Sequence, residues 1–313
     1  MKSNDLLRKA NKAEFAKWIE MHPEWITKDQ TAPICKMEYY DHSGILQAAA
    51  IYPKPEKGTK VKPEYRVRAL AFSPMAGNSK LKKLQKQIKG KGYTISLRSG
   101  ITCPGAAICL SWAKRNKTGK AKIVQKGPIR CFGASDETQY DATYDQREYN
   151  TRLIKSLGAD ALKIGALIMD SIKILIKPIL VRVHVGGDYF SEAYLRGWIM
   201  AAFCAPKIHF YSYTKSATFV VNVMNDSETD IPDNFQIVFS EGGKHDFLIP
   251  DNGRRAVIVG SQKEADDLNL QVDHDDSLAA FGDIPRFALL IHGTQTKGSV
   301  YAKQSYQNRK APK

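Results

Sequence analysis

Three of the five cysteines fall in one segment of the chain. Cys103 and Cys109 stand six positions apart on a loop that contains Gly and Pro, and Cys131 follows 22 positions later. Three thiolates can hold three irons of a four-iron cluster and leave the fourth iron open, and with an added histidine they can form a closed zinc site. No Cys-x-x-Cys pair is present, so the residues alone also allow ordinary buried cysteines.

Two further loops carry polar residues at the ends of predicted strands. Gly186 and Gly187 would let the backbone approach a ligand closely, with Asp188 at the mouth of the strand, although a tight turn with a helix cap fits equally. Ser212 and Lys215 suit phosphate or carboxylate binding, or else a strand end that caps the next helix. We take Asp188 and Lys215 as candidate catalytic residues, and Gly186, Gly187, Asp188 and Ser212 as candidate cofactor-binding residues.

The positive charge of the chain is concentrated in one segment. The net charge is +15, and residues 65–135 hold 16 Lys and Arg without one Asp or Glu, whereas the remaining 242 residues carry 31 basic and 32 acidic side chains. A field of one sign attracts polyanions, of which the nucleic-acid backbone is the commonest, although a solvated surface or an acidic protein partner remains an alternative. The candidate nucleic-acid-binding residues are Lys80, Lys82, Lys83, Lys86, Lys114, Arg115, Lys117 and Lys120.

These loops need a scaffold that brings strand ends together. Short β-branched runs alternate with helical periodicity, for example strand 179–185 followed by helix 191–204. This alternation predicts an α/β fold, a partial or open (β/α) barrel-like parallel sheet, whose functional loops follow the carboxyl ends of its strands. We expect the core to span residues 65–300, with a mainly helical N-terminal extension (1–64, including a helix at 4–22) and a basic C-terminal tail (301–313).

The expected compartment is the cytoplasm. The N-terminus carries charge where a signal peptide has its apolar core, and no apolar stretch approaches the roughly 20 residues of a membrane span. Five cysteines, an odd number, do not form a disulfide scaffold. We therefore expect no membrane partner, and host cytoplasm if a phage encodes the chain.

Several segments together resemble the gene product 88 family of phages and mobile elements. The resemblance runs from about Phe72 to Gly298. The matching stretches are Gly77-Asn78-Ser79-Lys80-Leu81, Thr102-Cys103-Pro104-Gly105 with Cys109, Cys131-Phe132-Gly133-Ala134, Gly187-Asp188-Tyr189-Phe190-Ser191 and Tyr211-Ser212-Tyr213-Thr214-Lys215-Ser216.

The chain is also distantly similar to radical S-adenosylmethionine proteins. The resemblance implies a cluster loop formed by Cys103, Cys109 and Cys131, with S-adenosylmethionine held at Gly186-Gly187-Asp188. The cysteine spacing departs from the usual pattern of those proteins, and a 21-residue basic insert, 110–130, separates the last two cysteines.

These observations favour a phage-type nucleic-acid-binding protein with a three-cysteine iron–sulfur or zinc centre. If it is an enzyme, the resemblance implies modification of nucleic acid with S-adenosylmethionine as cofactor. The alternative is a non-enzymatic module on a degenerate barrel scaffold that binds nucleic acid or a host protein. A magnesium-dependent nuclease built on Asp188 is disfavoured, because no second carboxylate lies close in sequence at a matching strand end.

Overall fold

The computed structural model describes residues 35–40, 46–51, 69–78, 80–227 and 229–310, with the backbone alone for residues 35–40, 46–51, 309 and 310. Its strands are β1 (Cys35–Tyr40), β2 (Leu46–Ile51), β3 (Ser73–Pro74), β4 (Lys91–Ile95), β5 (Ser111–Arg115), β6 (Ala121–Gln125), β7 (Pro178–Val183), β8 (His209–Thr214), β9 (Phe235–Ser240), β10 (Arg255–Val259) and β11 (Arg286–Leu290). Its α-helices are α1 (Leu81–Gln87), α2 (Phe132–Gln139), α3 (Asp141–Lys155), α4 (Ala161–Lys173), α5 (Glu192–Cys204), α6 (Ala217–Asn225), α7 (Gln262–Asp267), α8 (Ser277–Phe281) and α9 (Val300–Lys310).

One seven-stranded sheet organises the core. Strands β4, β7, β8, β9, β10 and β11 lie side by side in chain order and are all parallel, and the short β3 joins antiparallel to β4. The first and last strands do not pair with each other, so the sheet is open. This confirms the α/β class with a mainly parallel, open sheet.

Alternating side chains of the strands face two different cores. In β7, Val181 and Val183 enter the larger core with Trp198 of α5, whereas Leu180 enters the smaller core with Leu84 of α1. Helices α3, α4, α5 and α6 contribute to the larger core, and α1 and α8 to the smaller one. A strand that is covered on both faces needs few polar residues, which explains why its sequence is apolar except for Arg182, whose guanidinium pairs with Asp276.

Local sequence signals place the helix boundaries as predicted. Gly158, at a positive φ of 65°, separates α3 from α4, a conformation that favours glycine. The Ser191 side chain accepts the backbone N–H of Tyr194 and caps the start of α5. The predicted start of α5 near residue 191 is confirmed.

Other segments were not anticipated in this form. Residues 110–130, predicted only as a basic insert, contain the antiparallel hairpin β5–β6, and residues 300–310 of the basic C-terminal region form α9. Strands β1 and β2 pair as a second hairpin within the N-terminal region, and the predicted helix at 4–22 lies outside the described residues. Among the helices described, none has the length and apolar character needed to cross a membrane.

Several loops lie at one edge of the sheet. Because neighbouring strands are parallel, the segments that follow β4, β7, β8 and β9 all emerge at the same, carboxyl edge. These segments carry Cys103, Asp188, Lys215 and Gly242 respectively.

Candidate functional site at the carboxyl edge of the sheet

The cysteine loop begins directly after β4 and folds tightly. The backbone N–H of Gly100 donates to Cys103 Sγ at 3.3 Å, and the Cys103 N–H donates to the Gly100 carbonyl at 3.1 Å. Gly105 lies against the backbone of Lys215, where an added Cβ would stand 2.0 Å from the carbonyl oxygen. Only glycine lets the loop pass so close, and the loop is thereby held against the ends of β8 and β9.

Ser111 connects two cysteines that are 22 positions apart. Its buried hydroxyl accepts the backbone N–H of Cys131 at 2.8 Å and donates to the carbonyl of Cys109 at 3.2 Å. Cys131 is itself the residue that precedes α2, so this pair of bonds fixes the start of that helix relative to the cysteine loop. The sequence reasoning missed Ser111, which nothing but its position two residues after Cys109 could have suggested.

The three thiols are linked through their electrostatics. Burial raises the pKa of Cys103 well above its usual value, and Asp188, Cys131 and Cys109 raise it further. Burial and Cys131 also raise the pKa of Cys109 to about 12, opposed by the ammonium of Lys215. Both shifts favour the neutral thiol forms of Cys103 and Cys109.

Asp188 joins the ends of β7 and β8. Its Oδ1 accepts the backbone N–H of Tyr189 at 2.7 Å and the Thr214 hydroxyl at 2.6 Å, and its Oδ2 accepts the backbone N–H of Lys215 at 2.8 Å. Burial raises the pKa of this carboxyl to about 6, although the hydrogen bonds favour the charged form. The carboxylate oxygens of this candidate catalytic residue are thus engaged within the protein.

Lys215 caps the end of β9 from the neighbouring strand. Its Nζ donates to the carbonyl and the hydroxyl of Ser240, each at 2.9 Å, and to the carbonyl of Glu241. Burial lowers the pKa of this ammonium, while Cys109, Asp246 and Asp188 oppose the shift. The three donor positions of the second candidate catalytic residue are therefore occupied by the protein itself.

The glycines of the β7 end allow the loops to pack closely. Gly187 has a φ of 86°, and an added Cβ would stand 2.7 Å from Leu97 and 2.8 Å from the Thr102 hydroxyl. Gly186 donates its N–H to Ser96 Oγ at 3.2 Å, and Ser212 is fully buried on β8. In the described structure, these candidate cofactor-binding residues contact the cysteine loop or the core.

A buried carboxylate ties the cysteine loop to α2. Glu137 is fully buried and accepts the backbone N–H of Ser99 at 2.8 Å and the Arg98 Nε–H at 2.9 Å. Arg147 donates to Glu137 at 3.3 Å and to the carbonyl of Gly133 at 2.6 Å. This network joins the segments that carry Cys103 and Cys131, and sequence reasoning missed it because its members are spread over 50 positions.

The β5–β6 hairpin carries most of its cations on the surface. One arginine does not belong to that set: Arg115 pairs with Asp141 at 3.1 Å and also with Asp145 of α3. The exposed lysines are Lys114, Lys117, Lys120, Lys122 and Lys126. In the part of the chain that the structure describes, no ion pair occupies any of these lysines.

Helix α1 presents a second group of predicted nucleic-acid-binding residues. Lys82, Lys83 and Lys86 are exposed, whereas Lys80 forms an ion pair with the fully buried Asp276 at 2.5 Å. Lys80 and Arg115 thus form ion pairs within the protein, and the other six predicted residues are exposed to solvent.

No single-ion site is formed by these side chains. Throughout the described residues, no group of three or more His, Cys, Asp or Glu side chains is placed to hold a metal ion. No histidine contributes to the charges and hydrogen bonds that shift the pKa of Cys103 or Cys109. The closed zinc site with a histidine, one of the two predicted centres, therefore does not fit the described arrangement.

Comparison with known proteins gives one match. No curated protein and no solved structure matches the chain, and the similarity to radical S-adenosylmethionine proteins is not shown by any of them. The family model described as Gene product 88 matches residues 69–311, which include the cysteine loop, the hairpin and all three strand-end segments described above. The chain therefore belongs to the gene product 88 family.

Proposed function

We propose that this protein is a phage-type nucleic-acid-binding protein, and that the β5–β6 hairpin is its binding surface. The proposal rests on the four exposed lysines of the hairpin and on Lys126, which follows it, all in a segment without acidic residues until Asp136. Lysines without carboxylate partners keep their full charge for phosphates, and each neutralised phosphate releases counterions from the nucleic acid.

A salt titration tests this surface. We expect the wild-type chain to bind labelled DNA or RNA in fluorescence anisotropy, with an affinity that falls steeply as salt rises. The triple variant Lys114→Gln, Lys117→Gln, Lys120→Gln should flatten the slope of log K against log salt by about one unit for each lost phosphate contact. A slope unchanged by the triple variant would remove the hairpin as the binding surface.

The matched control is Lys263→Gln. Lys263 is equally exposed but forms an ion pair with Asp267 on α7, so its charge already has a carboxylate partner. Its substitution should leave both affinity and slope unchanged. If the wild-type chain instead captures an acidic protein and ignores nucleic acid, the alternative of a host-protein-binding module holds.

A second candidate function is supported by the electrostatic interactions among the three thiols. We propose that Cys103, Cys109 and Cys131 hold an iron–sulfur cluster. Each thiolate of such a cluster binds a different iron, so the site requires sulfurs that converge but does not require them to surround a single ion. When bound, a four-iron cluster with one open iron supplies one-electron transfer to a ligand at that iron.

The chain's own residues would act around the cluster. Gly105 allows close packing of the loop, Ser111 fixes the two cysteine-bearing segments, and Lys215 places a positive charge beside Cys109 that favours its thiolate. S-adenosylmethionine at Asp188 does not fit this arrangement, because the carboxylate is buried and both of its oxygens already accept hydrogen bonds. The proposal therefore extends to the cluster and not to that cofactor.

Anaerobic reconstitution tests the cluster. Wild-type protein should bind iron and sulfide and acquire a brown absorbance, and Cys103→Ala, Cys109→Ala and Cys131→Ala should each abolish most of it. Cys204→Ala is the control, since Cys204 ends α5 within the helical layer and also has a pKa raised by burial. Equal iron content in all four variants would reject the assignment.

A further inference from the structure

The β5–β6 hairpin is a two-stranded ribbon with one face docked and the other exposed. Residues that stand directly opposite each other on antiparallel strands project from the same face. Ser111 and Ala113 are buried on the face that packs against α2, where Ser111 bonds to Cys131. Lys114 and Lys122 are exposed and stand opposite each other, so both ammonium groups project from the other face.

This cross-strand lysine pair is electrostatically unfavourable in the protein alone. Like charges directly opposite each other destabilise paired strands, because their Cβ atoms lie only about 4.5–5.5 Å apart. Among the described residues, neither Lys114 nor Lys122 has a carboxylate partner. A local conflict of this kind is expected at a functional site, where an anion bound between the two ammonium groups relieves the repulsion.

The turn that joins the two strands is ordered and adds further cations. Asn116 Oδ1 accepts the backbone N–H groups of Thr118 and Lys120, each at 3.0 Å. Lys117 and Lys120 are both exposed on this turn. The ribbon thus carries its cations on a backbone that is already fixed, so binding through it would cost little conformational entropy of the main chain.

We propose that the exposed face of this ribbon enters the major groove of duplex DNA. The inference rests on the proposed nucleic-acid function and specifies its substrate class. The major groove is about 12 Å wide and admits a two-stranded ribbon, whose strands lie about 4.8 Å apart, whereas the minor groove is only about 6 Å wide. Within the major groove, Lys114 and Lys122 would donate to the O6 and N7 acceptors of guanine.

Duplex RNA and single strands fit this face less well. The major groove of A-form RNA is too deep and narrow for side chains to read. Single strands are bound through bases that stack on aromatic side chains. The aromatic residue within the two strands, Trp112, is half-buried opposite Val124, whereas the lysines are exposed, so the face favours phosphates and base edges over stacking.

The test compares duplex DNA, duplex RNA and single-stranded DNA of one sequence at one salt concentration. Fluorescence anisotropy should show the tightest binding to duplex DNA. The double variant Lys114→Gln, Lys122→Gln should bind that duplex more weakly by a factor of about 10 or more. Bound wild-type protein should protect guanine N7, in the major groove, from dimethyl sulfate and should leave adenine N3, in the minor groove, reactive.

The matched control is the double variant Lys163→Gln, Lys263→Gln. It removes the same number of charges from exposed lysines that pair with nearby carboxylates, those of Asp160 and Asp267. Its affinity for duplex DNA and its protection of guanine N7 should equal those of the wild type.

Lys122→Glu separates binding from folding. It places a carboxylate opposite Lys114 and replaces the repulsion by an attraction, so the melting temperature should equal or exceed that of the wild type. The affinity for duplex DNA should nevertheless fall further than in the glutamine variant. Undiminished affinity in this stable variant would overturn the role of the ribbon face.

The outcomes separate this inference from the proposal beneath it. If the triple hairpin variant flattens the salt slope while duplex RNA or single strands bind as tightly as duplex DNA, the major-groove inference is overturned and the nucleic-acid function stands. Protection of adenine N3 in place of guanine N7 would also overturn it. A wild-type chain that binds none of the three nucleic acids would overturn the nucleic-acid function itself.

Discussion

Ser111 accepts the backbone N–H of Cys131 at 2.8 Å and so joins the start of α2 to the cysteine loop. Ser111→Ala would leave that buried N–H without an acceptor, which costs about 1–3 kcal/mol. We expect the free energy of unfolding to fall by this amount in urea denaturation, and iron loading after reconstitution to fall with it. Ser156→Ala, which removes a local bond to the Leu153 carbonyl at the end of α3, should preserve loading. Full loading of the Ser111 variant would show that the cysteines find their positions without this bond.

Asp188 should make stability depend on pH. Its pKa rises from 3.8 to about 6 on folding, so the folded state holds the proton more tightly than the unfolded state. The stability that this carboxyl contributes is fully present below the unfolded value and is lost as the pH rises through about 6. A shift of this size corresponds to about 3 kcal/mol.

Urea denaturation between about pH 4 and about pH 7 measures that dependence. Asp188→Asn should be less stable overall, because an amide cannot accept hydrogen bonds at both positions. Its free energy of unfolding should nevertheless lack the part of the decline with rising pH that the Asp188 carboxyl causes. Asp251→Asn, at an exposed carboxylate, should keep the wild-type decline. The same decline in the Asp188 variant would contradict the assignment.

Glu137 balances two buried guanidinium groups. Replacing it with Gln removes the carboxylate that Arg98 and Arg147 share, although Arg98 keeps Glu148 and Arg147 keeps Asp136 as second partners. Breaking a buried pair costs about 3–5 kcal/mol when the remaining charge has no other partner, and we expect a cost toward the lower end of that range. Arg152→Ala removes an exposed i,i+4 pair with Glu148 and should cost less than about 1 kcal/mol. Thermal unfolding measures the loss of stability in each variant. Similar losses in both would mean that the buried network does not stabilise the contact between the cysteine loop and α2.

Gly105 permits the closest approach between the cysteine loop and β8. In Gly105→Ala the new methyl group would meet the Lys215 carbonyl, so the loop must shift, at a cost of about 1–3 kcal/mol. Gly77→Ala is the control, because nothing lies within 4 Å of its added Cβ. We expect lower stability and lower iron content only for Gly105→Ala, measured by denaturation and by iron assay. Wild-type iron content in that variant would show that cluster binding does not depend on the position of the loop.

The core strands were predictable because their signals are local. The strand Pro178–Val183 is apolar and partly β-branched except for Arg182, and burial on both faces favours such a sequence. Ser191 and Gly158 mark helix ends through backbone effects that act within a few residues. Local physics decides these elements, so the sequence reading and the structure agree.

The site was predictable only in part. The strand-end positions of Asp188 and Lys215 follow from the fold, but sequence cannot tell a side chain that faces a ligand from one that saturates neighbouring backbone groups. The hairpin β5–β6 was missed because Ala121–Gln125 is only five residues long and lies within a basic stretch, and it packs on α2 rather than in the main sheet. Glu137 was missed because its partners are distant in sequence.

Arg115 anchors the hairpin at its free end. It pairs with Asp141 and Asp145, and its guanidinium lies 4.0 Å above the ring of Tyr144, which Arg98 also contacts from 3.7 Å. These contacts fix the hairpin against α3. A polyanion would therefore bind a charged surface that is already formed, without a preceding conformational change. Its association rate constant should be governed by diffusion and electrostatic steering.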